Sequence, residues 1–174
     1  EANQEAKIEY INTERMQKEL DDGKIVLVAG FQGISDKKDI TTLGRGGSDT
    51  TAVAIAAAIK ADHCYIFSDV DGVYSTDPNK ITDAKKITEL SYTEMLDLSN
   101  EGAKVLHNRC VEVAQKYNVL IETGSTFNNN IGTQINNKIE ESAVKSLVKN
   151  DNLFLITLKH DSYNADMLNK LYFI

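Results

Sequence analysis

Residues 41–61 read TTLGRGGSDTTAVAIAAAIKA: Gly44, Gly46 and Gly47 surround Arg45, Ser48 and Asp49 follow, and the rest is almost all small and apolar. Glycines let backbone approach a ligand closely, and the unpaired amides that open a helix attract anions. A guanidinium among them is a two-pronged donor suited to a carboxylate or a phosphate. Ser48 reads as the N-cap of a helix running from Asp49 to about Lys60. Asp49, in its first turn, offsets the helix dipole by about 0.3–1 kcal/mol whatever else it does. Capping accounts for Ser48 and Asp49. It does not account for an arginine between glycines, and the stretch therefore reads as an anion site.

Two further stretches carry chemistry. SDVDGVYSTDP (68–78) places Asp69, Asp71 and Asp77 after an apolar run. Asp-Gly is common in plain turns. D-x-D-G after a strand also resembles the phosphorylated-aspartate motif of haloacid-dehalogenase-type phosphatases, but these need a paired acidic magnesium motif downstream, and residues 79–174 contain none. The other functional reading is a nucleotide loop, with Tyr74 offering a ring and the acids hydrogen-bonding to sugar or base. EGAKVLH (101–107) places Lys104 in the first turn of an expected helix over 103–118. The dipole disfavours a cation there unless an anion offsets it.

The elements that would position these groups follow from hydrophobic pattern. KIEYIN (7–12) predicts a short strand, and TERMQKELDDG (13–23) a helix closed by Gly23. KIVLVAG (24–30) is a continuous apolar run of the kind buried on both faces of a parallel sheet. HCYIFS (63–68) and VLIETGS (119–125) predict further strands. Ser91-x-x-Glu94 is a capping box that opens a helix ending near Gly102. Strand, helix, strand, helices, strand is the α/β pattern of a mostly parallel sheet with helices packed on it. Ligands in such sheets sit at the carboxyl ends of strands, here marked by Gly30, Ser68 and Gly124. From about residue 137 the texture turns polar, and then LFLITLKH (153–160) predicts a strand and DSYNADMLNKLYFI the start of a helix, an α+β segment that reads as a second domain cut short. The expected division is 1–136 and 137–174.

The net charge of −7 and a pI near 5.0 disfavour nucleic acid and anionic membrane as partners. No apolar run approaches the roughly 20 residues that span a bilayer. The opening EANQEAKIEY lacks the pattern of a signal peptide. Cys64 and Cys110 stand in no metal spacing and fit buried thiols in a reducing cytoplasm. With His63, His107 and His160 scattered, no protein metal site is expected.

AGFQG (29–33), TTLGRGGSDTTA (41–52), SDVDGVYSTDP (68–78) and GAKVLH (102–107), in this order and with INTERM (11–16), resemble the second half of the catalytic domain of aspartokinases, in the amino-acid kinase family. The likeness spans about residues 6–135, and residues 143–174 resemble the opening of the ACT regulatory domain that follows in aspartokinases. It implies an amino-acid-kinase sheet sandwiched by helices, and transfer of the ATP γ-phosphoryl group to the side-chain carboxylate of L-aspartate. The product is 4-phospho-L-aspartate, on the route to lysine, threonine and methionine. Carried over, Arg45 clamps the aspartate carboxylate with Ser48 assisting, and Asp49 sits at the reacting centre. Ser68, Asp69, Tyr74, Asp77 and Lys104 line the ATP pocket, and Mg²⁺ is held mainly by the ATP phosphates. A feedback-inhibiting lysine or threonine at ACT domains, and a cytoplasmic dimer or larger assembly, are implied as well.

Some positions depart from the family pattern. Ser68 stands where threonine is usual, Asn79 where arginine is frequent, and Asn108 where proline is usual. The family's opening Lys-Phe-Gly-Gly segment, with its catalytic lysine, has no counterpart in residues 1–174, which alone are not expected to be an active kinase. The alternatives are a non-catalytic regulatory chain that binds an effector amino acid, and another kinase of the same fold, of glutamate 5-kinase or uridylate kinase type.

Overall fold

The structure, a computed structural model, describes residues 6–103, 105–128, 131–138 and 145–148, without the side chain of Ile131. Its centre is a four-stranded sheet in the order β3(Cys64–Ser68), β7(Ile121–Ser125), β8(Ile131–Asn136), β6(Glu89–Ser91). β3 pairs with β7 and β6 with β8 in parallel, while β7 and β8 run antiparallel. The sheet is thus mixed, and mostly parallel. Two small antiparallel pairs flank it: β1(Gln32–Ile34) with β2(Ile40–Thr42), and β4(Val73–Tyr74) with β5(Lys86–Ile87).

Register explains where the core lies. Cys64, Ile121, Ile135 and Leu90 fall in one row across the four strands, all buried. Because side chains alternate along a strand, Tyr65, Glu122, Gln134 and Glu89 form the next row on the opposite face. Helices α2(Gly47–Ile59), α3(Tyr92–Asn100) and α4(Asn108–Tyr117) bring Val53, Ala56, Met95, Val111 and Ala114 to the first row. The small residues of α2 let it lie close to α4, and Val53, Val111 and Ala114 are fully buried. On the second row Glu122 is only 2% exposed. Its Oε1 accepts from Gln134 Nε2, while Oε2 lies 3.2 Å from His63 Nδ1 without hydrogen-bond geometry.

The capping box forms as expected. Ser91 Oγ accepts from the Glu94 amide at 3.2 Å, and Glu94 Oε2 accepts from the Ser91 amide at 2.8 Å. Gly102, at φ +104°, lies just beyond the end of α3. Helix α1(Glu14–Asp21) also lies where expected, followed by Gly23 at φ +76°.

Four expectations fail. Residues 24–30 form no strand: Ile25 and Leu27 are 100% and 98% exposed, because no neighbouring strand among the described residues offers a ladder or a covering face. Residues 7–12 are likewise without strand pairing among the described residues; just before them the Ala6 amide donates to the Thr42 carbonyl at 3.1 Å. The helix expected over 103–118 starts at Asn108, where His107 Nδ1 and Asn108 Oδ1 both accept from the Arg109 amide. Finally, β8 takes residues for which no strand is expected, starting inside FNNNIG (127–132), which reads as a loop, and ending just before the polar stretch from 137. The strand and helix expected after residue 150 lie outside the described residues.

Ser91→Ala should lower the unfolding free energy by about 1 kcal/mol, from the lost cap. Urea denaturation followed by far-ultraviolet circular dichroism checks this.

Candidate active site

The arginine turn is built by a conformation only glycine takes comfortably. Gly46 has φ +72°, and a Cβ there would lie 2.4 Å from the Cβ and Cγ of His107. This backbone starts α2 two residues earlier than expected, with Gly46 itself at the N-cap position and no side chain capping the helix. Ser48 is therefore not the cap: it lies in the first turn, exposed, as does the half-buried Asp49. Without a side-chain cap, amides of that turn are left for solvent or an anion. Arg45 is exposed and forms no ion pair or hydrogen bond among the described residues. The turn is held from below by Arg109, whose guanidinium donates to the Leu43 carbonyl and, at 2.9 Å, to the Ala6 carbonyl.

Asp49 sits in a polarised corner. Burial pushes its carboxyl above the ordinary aspartate value, and His107 partly opposes the shift. The nearby thiols are inert, since burial, reinforced by the Asp49 charge, pushes Cys64 to about 11 and Cys110 to about 12. Neither is a nucleophile near neutral pH.

The acidic loop hangs from β8. Gly132 has no room for a Cβ, which would fall 2.1 Å from the Asp71 carbonyl oxygen. Thr133, fully buried, accepts from the Val73 amide at 2.8 Å and donates to the Ile87 carbonyl at 2.6 Å. Asp71 then organises its own loop, accepting from Lys86 Nζ at 2.6 Å and from the Tyr74 hydroxyl at 2.9 Å. The Lys86 hydrogen bond holds the Asp71 carboxyl below the usual range, while the Asp71 bond holds Tyr74 and Lys86 above theirs.

The expected pocket residues do not all gather. Tyr74 and Asp77 line a cleft of ≈ 720 Å³, facing Leu98, Val105 and the turn Glu101–Ala103. Asp77 also accepts from the Asn79 amide at 3.0 Å. Ser68 and Asp69 do not line this cleft. Ser68 Oγ turns back on the Val70 amide at 3.1 Å, while Asp69 is exposed. Lys104 lies outside the described residues; the helix expected from residue 103 opens at Asn108. A smaller hollow of ≈ 480 Å³ between α1 and residues 24–28 contains none of the candidate residues.

One segment joins the two turns. Residues 101–103 and Val105 line the cleft, and His107, two residues on, packs against Gly46 and lies within electrostatic reach of Asp49. Two peptide units span at most about 7 Å, so the acidic loop and the arginine turn flank one short stretch of chain. Sequence reading missed Arg109, Asp71, Lys86 and Thr133 as supports. None of them left a signal along the chain: with the helix expected from residue 103, Arg109 reads as lying well past its first turn, and only the start at Asn108 brings it to a helix terminus.

Residues 2–122 match the family model described as amino acid kinase family. The chain belongs to the amino acid kinase family. It is 48% identical over 156 residues to an aspartokinase of Bacillus sp. (strain MGA3), covering 88% of this chain and 38% of that protein. It is 54% identical over 134 residues to the aspartokinase of Geobacillus stearothermophilus, covering 77% and 33%. Among solved structures, E. coli aspartokinase III in complex with aspartate and ADP matches with a TM-score of 0.67 at 35% identity, over 74% of this chain and 29% of that one. The same enzyme in complex with lysine and aspartate matches with a TM-score of 0.65. The chain thus spans about a third of the length of the aspartokinases it matches.

Gly46→Ala should cost about 2–4 kcal/mol, since a left-handed backbone and a clash with His107 both oppose it; thermal unfolding checks this. Asp49→Asn should be more stable than the unaltered chain at pH 7. The folded-state value is raised, so ionised Asp49 destabilises the fold above that value, and the penalty is relieved as pH falls through it. The advantage should therefore shrink towards pH 4, measured by urea titrations at both pH values.

Proposed function

We propose that these residues form the nucleotide-binding part of an aspartate kinase, which transfers the γ-phosphoryl group of ATP to the side-chain carboxylate of L-aspartate. The observation that carries this reading is the 101–107 segment, with one end in the Tyr74–Asp77 cleft and His107 against the arginine turn. An amino acid held at that turn lies beside a nucleotide held in the cleft. The E. coli enzyme's capture of aspartate and ADP gives the ligand pair.

In this reading Arg45 binds an aspartate carboxylate, and the first-turn amides of α2 with Ser48 complete the anion site. Asp49 orients the substrate or the cations around it. Tyr74 and Asp77 bind the nucleotide, Lys104 meets its phosphates, and Ser68 and Asp69 support the loop on which Tyr74 stands. No general base is required, because the acceptor carboxylate is already ionised at neutral pH. Positioning and charge neutralisation then supply most of the acceleration. In this reading a magnesium ion is carried mainly on the ATP phosphates. When bound, it neutralises phosphate charge.

Among the described residues no helix is long and apolar enough to cross a membrane. By likeness to the lysine-bound enzyme, the whole kinase is proposed to answer to an amino-acid effector such as lysine or threonine. A cytoplasmic homodimer or larger assembly goes with that proposal.

In the whole kinase of which these residues form a part, Arg45→Ala should weaken aspartate binding by about 2–3 kcal/mol, the worth of a charge-assisted pair. Titration calorimetry with aspartate and a non-hydrolysable ATP analogue reads this, with nucleotide affinity unchanged. Aspartate affinity and turnover indifferent to both Arg45→Ala and Asp49→Ala would remove the substrate assignment.

A further inference from the structure

The segment 145–148 is far in sequence from the cleft yet forms part of its wall. The Leu147 amide donates to the Ser75 carbonyl at 2.8 Å. Ser146 Oγ lies 3.2 Å from the Tyr74 carbonyl and 3.1 Å from that of Ser75, and donates to them. Lys145 Nζ reaches Glu94 Oε1 at 3.0 Å, with only 14% of its side chain exposed. Glu94 is the acid of the α3 capping box, so this anchor is itself fixed. Residues 74–75 are thus bounded on one edge by β5, where Ser75 donates to the Lys85 carbonyl at 2.8 Å, and on the other by 146–147.

These contacts leave an apolar side chain in an unfavourable place. Leu147 is 67% exposed, yet it lines the cleft with Val148, Tyr74, Ile81, Leu98 and Val105. An exposed leucine on a cleft wall of this kind gains by burial when a flat apolar group enters. The Leu147 and Ser146 hydrogen bonds and the Lys145–Glu94 ion pair work against the entropy of ordering the strap, so its docking is sensitive to whatever fills the cleft.

We propose that residues 145–148 are the outer wall of the nucleotide cleft, and that Leu147 and Val148 make apolar contact with the purine base. This rests on the nucleotide reading above and adds a specificity-determining segment to it. Linkage makes the effect reciprocal: a bound base orders the strap, and an ordered strap tightens the nucleotide.

The test uses the 174-residue chain with ADP as the probe, combining calorimetry with amide hydrogen exchange. ADP should slow exchange at residues 146–148. Leu147→Ala should weaken ADP by roughly 5–10-fold, and Leu147→Met should restore most of the loss. Lys145→Ala, which frees the strap, should speed exchange at the Leu147 amide and weaken ADP as well. Leu147 is mostly exposed, so the alanine variant should melt like the unaltered chain. ADP binding that is indifferent to Leu147→Ala, with no slowing at 146–148, overturns this inference alone. No ADP binding by the unaltered chain overturns the nucleotide reading and this inference together.

Discussion

The approach of Gly46 to His107 is the contact on which the candidate site turns. A hydrogen in place of a Cβ lets the backbone of the arginine turn touch the imidazole that precedes α4. That contact sets where α2 begins, directs the first-turn amides and Arg45 away from the core, and leaves Asp49 beside His107. It also fixes the separation between the turn and the cleft, because His107 ends the short segment whose other end lines the cleft. Any larger residue at position 46 would push the two halves of the site apart.

The second half depends on a different kind of fit. The acidic loop is long and polar and lacks a core of its own, so it is held by neighbours: Thr133 bonds it at Val73, and Gly132 lets the Asp71 backbone press against β8. Asp71 is consequently a support rather than a ligand. Its carboxylate is occupied by Lys86 and Tyr74, which orients the tyrosine while leaving Asp69 and Asp77 at the surface. A buried threonine that both donates and accepts suits this task, since neither of its partners is left unpaired in a low-dielectric interior.

Much of the site was legible along the chain. The stretch around Arg45 read as an anion turn because capping does not account for an arginine between glycines, and the capping box at Ser91 read correctly because both partners lie within four residues. The N-cap at Ser48 read wrongly. Serine is the better cap by side-chain chemistry, but the left-handed backbone of Gly46 started the helix earlier, and that choice was made by contact with His107, sixty-one residues on. The apolar run 24–30 carries a strand's composition without a strand's partner among the described residues. Composition reports only a tendency to be buried, whereas a ladder needs a second chain segment beside it.

By itself the sequence determined the local pattern: which loop reads as an anion site, which acids follow a strand, where α3 is capped, and that the fold is α/β. These depend on neighbours within a turn or two of the chain. The tertiary structure alone decided which of those groups share a cleft. It turned Ser68 back onto its own loop, made Asp71 a strut, recruited Arg109 to hold the arginine turn, and brought Leu147 beside Tyr74. Such outcomes depend on close packing and hydrogen bonding between residues dozens of positions apart, and spacing along a chain carries no record of them.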